Sequence, residues 1–233
     1  MKDATRTGPL PGLSSLLLNA LAFAAACTRD PLAAAEVPPP KADLPAPSDG
    51  KPQTAVVAMG CFWCGEGVFE RVEGVTEVVS GYAGGTAETA DYELVSSGKT
   101  GHAESIRITY DPKKISYGKL LQIFFTTHDP TTKDRQGPDW GHQYRSAIFA
   151  ETPAQRAVAE QYIKQLNDAK VFSSPVVTTV EPLTAFHRAE AYHQDYVKNH
   201  PDHPYVRMWF PAKEKKLRDH FAAQLKPEFR AKN

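Results

Sequence analysis

Two thiols frame an aromatic pair in Cys61-Phe62-Trp63-Cys64, set inside Gly60-Cys-Phe-Trp-Cys-Gly65. The apolar run Ala55-Val-Val-Ala-Met59 precedes the motif, and a stretch of helical pattern, Glu66 to Val72, follows it. Cys61 therefore falls at a strand-to-helix junction, where the backbone N–H groups of a helix start carry partial positive charge. That setting favours thiolate over thiol, so Cys61 is the predicted nucleophile.

A Cys-x-x-Cys pair serves three chemistries. Half of a zinc site needs two further ligands at regular spacing, and the chain offers no second cysteine pair. A thioredoxin-like disulfide exchanger uses the same junction, but its spacer does not require two bulky aromatics. Phe62 and Trp63 read instead as a wall for an apolar ligand. The third use is a thiol that attacks an electrophilic sulfur or oxygen and is then resolved by its neighbour. His187 and His193 lie six positions apart and share no helical face, so no metal is expected there. His200 and His203 flank Pro201-Asp202 in a turn and read as solvated surface residues.

These groups need a scaffold, and from Thr54 onward the elements alternate legibly. Thr54 to Met59 reads as a buried strand, Cys61 to Val72 as a helix and Val75 to Tyr82 as a strand ended by Gly81-Tyr-Ala-Gly-Gly85. Ala103 to Tyr110 alternates as a half-buried strand stopped by Asp111-Pro112. A helix from Tyr117 to Thr127 is capped by Ser116, Ser146 to Phe149 is a short strand, and Thr152-Pro153 opens a helix to about Ala169. Val176 to Val180 reads as a last strand, Ala189 to Lys198 as a polar helix and Lys213 to Leu225 as a closing helix. The order predicts an α+β fold: a two-layer plait with a ferredoxin-like split βαβ core, a mixed sheet, helices on one face and a loop-built active site.

The chain has 233 residues, with 27 basic and 27 acidic side chains. At zero formal charge no long-range field recruits nucleic acid or an anionic membrane. Residues 1–26 carry a basic start and an apolar stretch too short to span a membrane, the pattern of a signal peptide. Ala24-Ala-Ala26 before Cys27 suits cleavage, and Cys27 offers a lipid-anchor site; plain cleavage after Ala33-Ala-Ala35 is the alternative. Residues 27–53 are proline-rich and read as a disordered, extended tether, leaving residues 54–233 as one catalytic domain. The expected location is the bacterial periplasm or the membrane surface as a lipoprotein, with the cytoplasm as alternative.

Gly60-Cys-Phe-Trp63, Gly81 to Gly85, Asp91-Tyr-Glu93, Ser97 to Glu104, His128-Asp-Pro130, Asp139 to Ser146 and Ala189 to Gln194 follow one another in order. From about Val56 to Tyr205 this series resembles the peptide methionine sulfoxide reductase A family, in its Gly-Cys-Phe-Trp-Cys variant. The resemblance implies reduction of the S-epimer of methionine sulfoxide, free or in oxidised proteins and peptides, with Cys61 attacking sulfur. It implies Glu104 as the acid for the sulfoxide oxygen, Tyr92 and Tyr144 as phenolic donors, Phe62 and Trp63 as the wall for the methyl group, and Asp139 as a polar positioner. A glutamic acid in that role wants a desolvated site, which Ala103 and Ile106 could supply.

Many members carry glycine where Cys64 stands and resolve the sulfenic acid with C-terminal cysteines. Tyr205 to Asn233 contains none, so Cys64 is the implied resolver and a Cys61–Cys64 disulfide the oxidised product. The resemblance further implies no cofactor, a monomer and an external dithiol donor, thioredoxin or a thioredoxin-like domain. Two other readings compete: a general disulfide oxidoreductase using Cys61 and Cys64, and a non-enzymatic lipoprotein using the aromatic pair as a peptide-binding patch.

Overall fold

The computed structural model describes residues 36–230. The expected signal peptide and Cys27 lie outside them. Strand β1 (Gln53–Met59) sends Ala55, Val57 and Met59 into the main core and Val56 and Ala58 into a second cluster with Ala83, Ala103, Ala147 and Phe149. Burial on both faces is what its unbroken apolar run requires. Helix α1 (Phe62–Glu70) follows directly, with Cys61 in the half-turn before it, and β2 (Val75–Ala83) comes next. A short helix α2 (Tyr92–Ser96) is capped by the Asp91 carboxylate, which accepts from the N–H groups of Glu93 and Leu94. Then come β3 (Ala103–Tyr110) and α3 (Tyr117–Thr127), whose Ser116 hydroxyl accepts the Lys119 N–H at 3.2 Å as the capping pattern predicts.

A small hairpin pairs β4 (Arg135–Gln136) with β5 (Asp139–Trp140), and β6 (Ser146–Ala150) leads into α4 (Pro153–Asp168), capped by Thr152. The chain closes with β7 (Thr179–Pro182), β8 (Phe186–Arg188), α5 (Tyr196–Asn199) and α6 (Pro204–Phe221). The main sheet runs β7-β6-β1-β3-β2-β8, with β3 inserted between β1 and β2 and antiparallel to both. The inner order β6-β1-β3-β2 is the split βαβ plait read from the sequence, and β7 and β8 widen it at the two edges. The β6–β7 pair is parallel, which makes the sheet mixed.

Four expectations are corrected. The strand placed at Val176 to Val180 begins at Thr179, because the Val176 N–H is taken by the Asn167 side chain at 2.9 Å and the Val177 N–H by the Pro130 carbonyl at 2.8 Å. The helix expected from Ala189 to Lys198 does not form. Its Gln194 amide bonds both the N–H and the C=O of Ser80, at 3.1 and 3.0 Å, Asp195 adopts φ +52°, and the segment divides into a 3-10 turn at Ala191–His193 and the short helix Tyr196–Asn199. The closing helix starts earlier, at Pro204, and ends at Phe221, since Leu225 bridges back to Val72. The expected free tether is in part a strap: Val37 is buried, the Gln122 amide donates to its carbonyl at 2.7 Å, and Asp43 accepts the Gly118 N–H at 2.7 Å. Its prolines keep helix and strand out, while their carbonyls remain free to accept from Tyr162 and Gln165.

Gly81 is where β8 can close on β2. A Cβ there would lie 2.4 Å from the His187 carbonyl oxygen and 2.4 Å from the Phe186 ring. The ring could swing away, but the backbone oxygen is held in the ladder. Gly81→Ala is expected to lift β8 and cost about 1–3 kcal/mol of stability in urea unfolding; an unchanged midpoint would show that β8 is free to shift.

Candidate active site

Cys61 stands at the N-cap of α1 with extended backbone (φ −51°, ψ 121°), and its carbonyl accepts the Cys64 N–H at 3.2 Å. Gly60 before it adopts φ +87° and faces the Gln136 side chain, where a Cβ would meet carbon at 2.5 Å. This left-handed residue aims the chain from β1 into α1 and lets the hairpin close over the junction. Both thiols are free and buried, one helical turn apart. Burial pushes the Cys61 thiol up, reinforced by the neighbouring Cys64 thiol and by Glu104. The thiolate expected from the helix start alone is therefore offset in the resting site by the loss of water.

Glu104 lies on β3 beside Tyr82 of β2, and only 3% of it is exposed. Its carboxyl accepts the Phe62 N–H at 3.0 Å, the first amide of α1 after Cys61. Desolvation raises its pKa to about 8 despite that hydrogen bond, so the group is mostly protonated at neutral pH. Tyr144, in the turn before β6, and Tyr92, at the start of α2, are half-buried. Burial pushes both phenols up, and Glu104 and Cys61 add to the effect on each, so both remain O–H donors facing the same pair. Asp139 of β5 accepts from the Tyr205 hydroxyl at 2.5 Å, and burial holds its carboxyl above the usual range. The structure thus brings Cys61, Cys64, Glu104, Tyr92, Tyr144 and Asp139 together.

Phe62 and Trp63 sit in an aromatic cluster. Phe62 is 2% exposed, with His193 and Tyr82 rings at 4.9 and 5.9 Å. Trp63 stacks on Tyr196 at 3.6 Å and donates its indole N–H to His193 Nδ1 at 3.0 Å. Because indole can only donate, His193 is neutral with its proton on Nε2, in line with a pKa lowered by burial. Sequence reasoning left Glu190, His193, Tyr196 and Tyr205 without roles. Glu190 accepts from the Tyr82 hydroxyl at 2.8 Å and from the Tyr92 N–H at 3.0 Å, tying β2 to α2 beside the thiols. Glu190 and His193 lie within the last motif and Tyr196 just beyond it, while Tyr205 stands at the end of the resembling stretch, so position marked them, though nothing local gave their partners.

The cavity of about 530 Å³ lined by Glu70, Val79, Arg188, Lys198 and Phe229 lies away from the thiols. A buried nucleophile, a neutral carboxylic acid and phenolic donors instead form a closely packed site, suited to a small polar oxygen on an apolar side chain. No group of three metal-ligating side chains occurs among the described residues. Fold and site together define a thiol-dependent reductase built on a split βαβ plait.

The comparisons are specific. Residues 53–225 match the family model described as peptide methionine sulfoxide reductase. The chain is 51% identical over 177 residues to peptide methionine sulfoxide reductase MsrA 2 of Synechocystis sp., covering 76% of this chain and 83% of that protein. It is 48% identical to MsrA of Deinococcus radiodurans, over 75% of this chain and 84% of that one. The reduced form of Mxr1 from Saccharomyces cerevisiae superposes with a TM-score of 0.60 at 32% identity, covering 70% of this chain and 92% of the yeast chain. Methionine sulfoxide reductase A of Corynebacterium diphtheriae gives 0.57 at 31% identity, over 64% and 76% of the two chains. The chain belongs to the peptide methionine sulfoxide reductase A family and is a thiol-dependent methionine sulfoxide reductase.

Glu104 links this chemistry to stability. Its carboxyl binds a proton up to about pH 8 in the folded chain, against an ordinary value of 4.5. The folded state therefore holds the extra proton between those values, and stability falls as pH rises through that window. Glu104→Gln keeps an acceptor for the Phe62 N–H and removes the titration. It is expected to gain on the order of a few kcal/mol over wild type by pH 8, with little difference near pH 4. Urea unfolding across that range checks it, and a pH-independent difference would mean that Glu104 titrates normally.

Proposed function

We propose that the chain reduces the S-epimer of methionine sulfoxide, with Cys61 as nucleophile and Glu104 as acid. Cys61 sulfur attacks the sulfoxide sulfur while Glu104 delivers a proton to the oxygen. The sulfoxide S–O bond breaks as the oxygen passes to Cys61, so methionine leaves with the electron pair the thiol supplied and Cys61 is left oxidised to a sulfenic acid. Tyr92 and Tyr144 hold the oxygen by hydrogen bonds, Phe62 and Trp63 shape the apolar surface for the methyl group, and Asp139 orients Tyr205 beneath the thiols. Cys64 then forms a disulfide with Cys61, and a thioredoxin-like dithiol reopens it. The observation that carries this reading is a carboxyl kept neutral by burial, bonded to the amide next to the nucleophile.

Single turnover tests it. The reduced chain, freed of reductant, receives a peptide carrying pure S or pure R sulfoxide. About one equivalent of methionine from the S-epimer alone, with loss of both thiols, is expected. The rate of methionine formation should fall as pH rises through about 8, where Glu104 loses its proton. Glu104→Gln should lower that rate by about 10²–10⁴-fold and remove the alkaline fall. No methionine from either epimer, or a Glu104→Gln enzyme with wild-type rate, would overturn the assignment; the latter would favour a general disulfide exchanger.

The N-terminal pattern supports export, to the periplasm or to the membrane through Cys27. Residues 54–233 act there as one monomeric catalytic domain on oxidised envelope proteins. In that compartment the reductant is a thioredoxin-like domain supplied with electrons through the membrane. Cell fractionation decides this, since a mature protein wholly in the cytosol would exclude it.

A further inference from the structure

Glu66 is a buried acid that the reaction does not use. It follows Trp63 by one turn of α1 and is 1% exposed. Burial pushes its carboxyl up to about 7. An ionisable group in that position costs stability that an apolar side chain would not. What the group does there is accept a hydrogen bond: its Oε2 takes the Tyr196 N–H at 3.3 Å. Charged or neutral, it keeps an acceptor oxygen for that bond.

The Tyr196 N–H is the first of α5, one of the donors that a helix start leaves without a partner in the helix. Helix α5 needs an outside anchor. It has four residues, too few to hold a helix alone, and the chain enters it through Asp195 at φ +52°. Gly67 lets it come close to α1, since a Cβ there would lie 3.1 Å from Val197 of α5 and 2.9 Å from Phe210 of α6. A side chain at position 67 would push both helices back and draw the amide away from Glu66.

Tyr196 spans two residues of α1. Its amide is held by Glu66, and its ring lies on Trp63 with centroids 3.6 Å apart and planes within 3° of parallel. Trp63 and Glu66 are three positions apart, so they share a helix face and one residue can engage both. The indole edge is fixed separately, by its N–H bond to His193 Nδ1 at 3.0 Å. The indole plane is fixed by the stack. Trp63 is only partly buried, whereas Phe62 and Cys64 on either side are buried, so part of its ring is free to meet a ligand.

We propose that Glu66 is a positioning residue for substrate recognition: by holding the Tyr196 N–H it seats the Tyr196 ring against Trp63 and so fixes the wall that measures the alkyl group on the sulfoxide sulfur. This rests on Trp63 being that wall. With the hydrogen bond gone, α5 loses its anchor, the indole plane can tilt, and the wall no longer discriminates a methyl group from a larger one.

The test is a competition catalysed by the full chain, with dithiothreitol as reductant. Equimolar peptides carrying the S-sulfoxide of methionine or of ethionine are mixed, and the two reduced products are counted at low conversion. Their ratio reports relative kcat/KM and does not depend on how much of the enzyme is folded. Wild type is expected to favour the methyl substrate. Glu66→Ala is expected to lower the ratio about tenfold, the low end of what one methylene decides in an apolar pocket. Glu66→Gln, which keeps an acceptor oxygen at the same reach, should hold the wild-type ratio. Tyr196→Ala should lower the ratio at least as far as Glu66→Ala, and the double variant should fall no further, because Glu66 acts through the Tyr196 ring. If Glu66→Ala does not fold, Glu66→Met, which fills the space without an acceptor oxygen, takes its place. An unchanged ratio without the acceptor, a Gln variant as unselective as Ala, or a double variant below Tyr196→Ala would overturn the role of Glu66. A Trp63→Ala enzyme with the wild-type ratio would instead overturn Trp63 as the wall, and the proposal with it.

Discussion

A single hydrogen bond between the Phe62 amide and the Glu104 carboxyl fixes the relation of nucleophile to acid. The amide belongs to the residue after Cys61, so the turn that places the thiol also holds the carboxyl. Alone, an amide donor at a helix start would favour the carboxylate and spoil it as a proton source. Burial outweighs the donor and leaves the group neutral yet anchored. The sheet supplies that burial: β3 runs between β1 and β2 and is screened from solvent on both sides.

The same dryness acts on the nucleophile, the acid and the two phenols in one direction. Cys61, Tyr92, Tyr144 and Glu104 are each biased toward the protonated form, so the resting site is rich in donors and carries little negative charge. Three O–H donors can face a sulfoxide oxygen without competing anions. The cost falls on the nucleophile, which must lose its proton as the sulfoxide is engaged. A polarised sulfoxide sulfur, with its oxygen held by donors, lowers the demand on that thiol because negative charge passes to a hydrogen-bonded oxygen as the S–S contact forms.

What could be read from the sequence was what depends on neighbours along the chain. The apolar run of β1, the Ser116 and Thr152 caps and the strand-to-helix junction at Cys61 are local, and each occurs where its pattern placed it. The resemblance supplied Glu104, Tyr92 and Tyr144, and the fold brings them to the thiols. Glu190 was hidden because its task is to receive Tyr82 and Tyr92 from distant strands and turns, and the segment around it reads as helix by composition. Gln194 misleads likewise: its amide replaces backbone partners of Ser80, so the residue that looks helical is an edge-strand substitute. The strap was misread because proline content indicates absence of regular structure, and absence of regular structure is not absence of contact.

Helix α6 shows how a segment without thiols can govern thiol chemistry. Beyond Cys27 the sequence carries cysteines at 61 and 64, and Tyr205 to Asn233 holds none, so α6 offers no thiol of its own. It supplies instead the phenol that engages Asp139 and the ammonium pinned at the end of α3. A cysteine one turn from the nucleophile needs no large rearrangement to reach it, because Cys64 N–H already bonds the Cys61 carbonyl at 3.2 Å. It is also buried with the nucleophile and shares its handicap. A second thiol placed in the helix beside the nucleophile thus exchanges a problem of reach for one of ionisation, since the burial that hides one sulfur from water hides both.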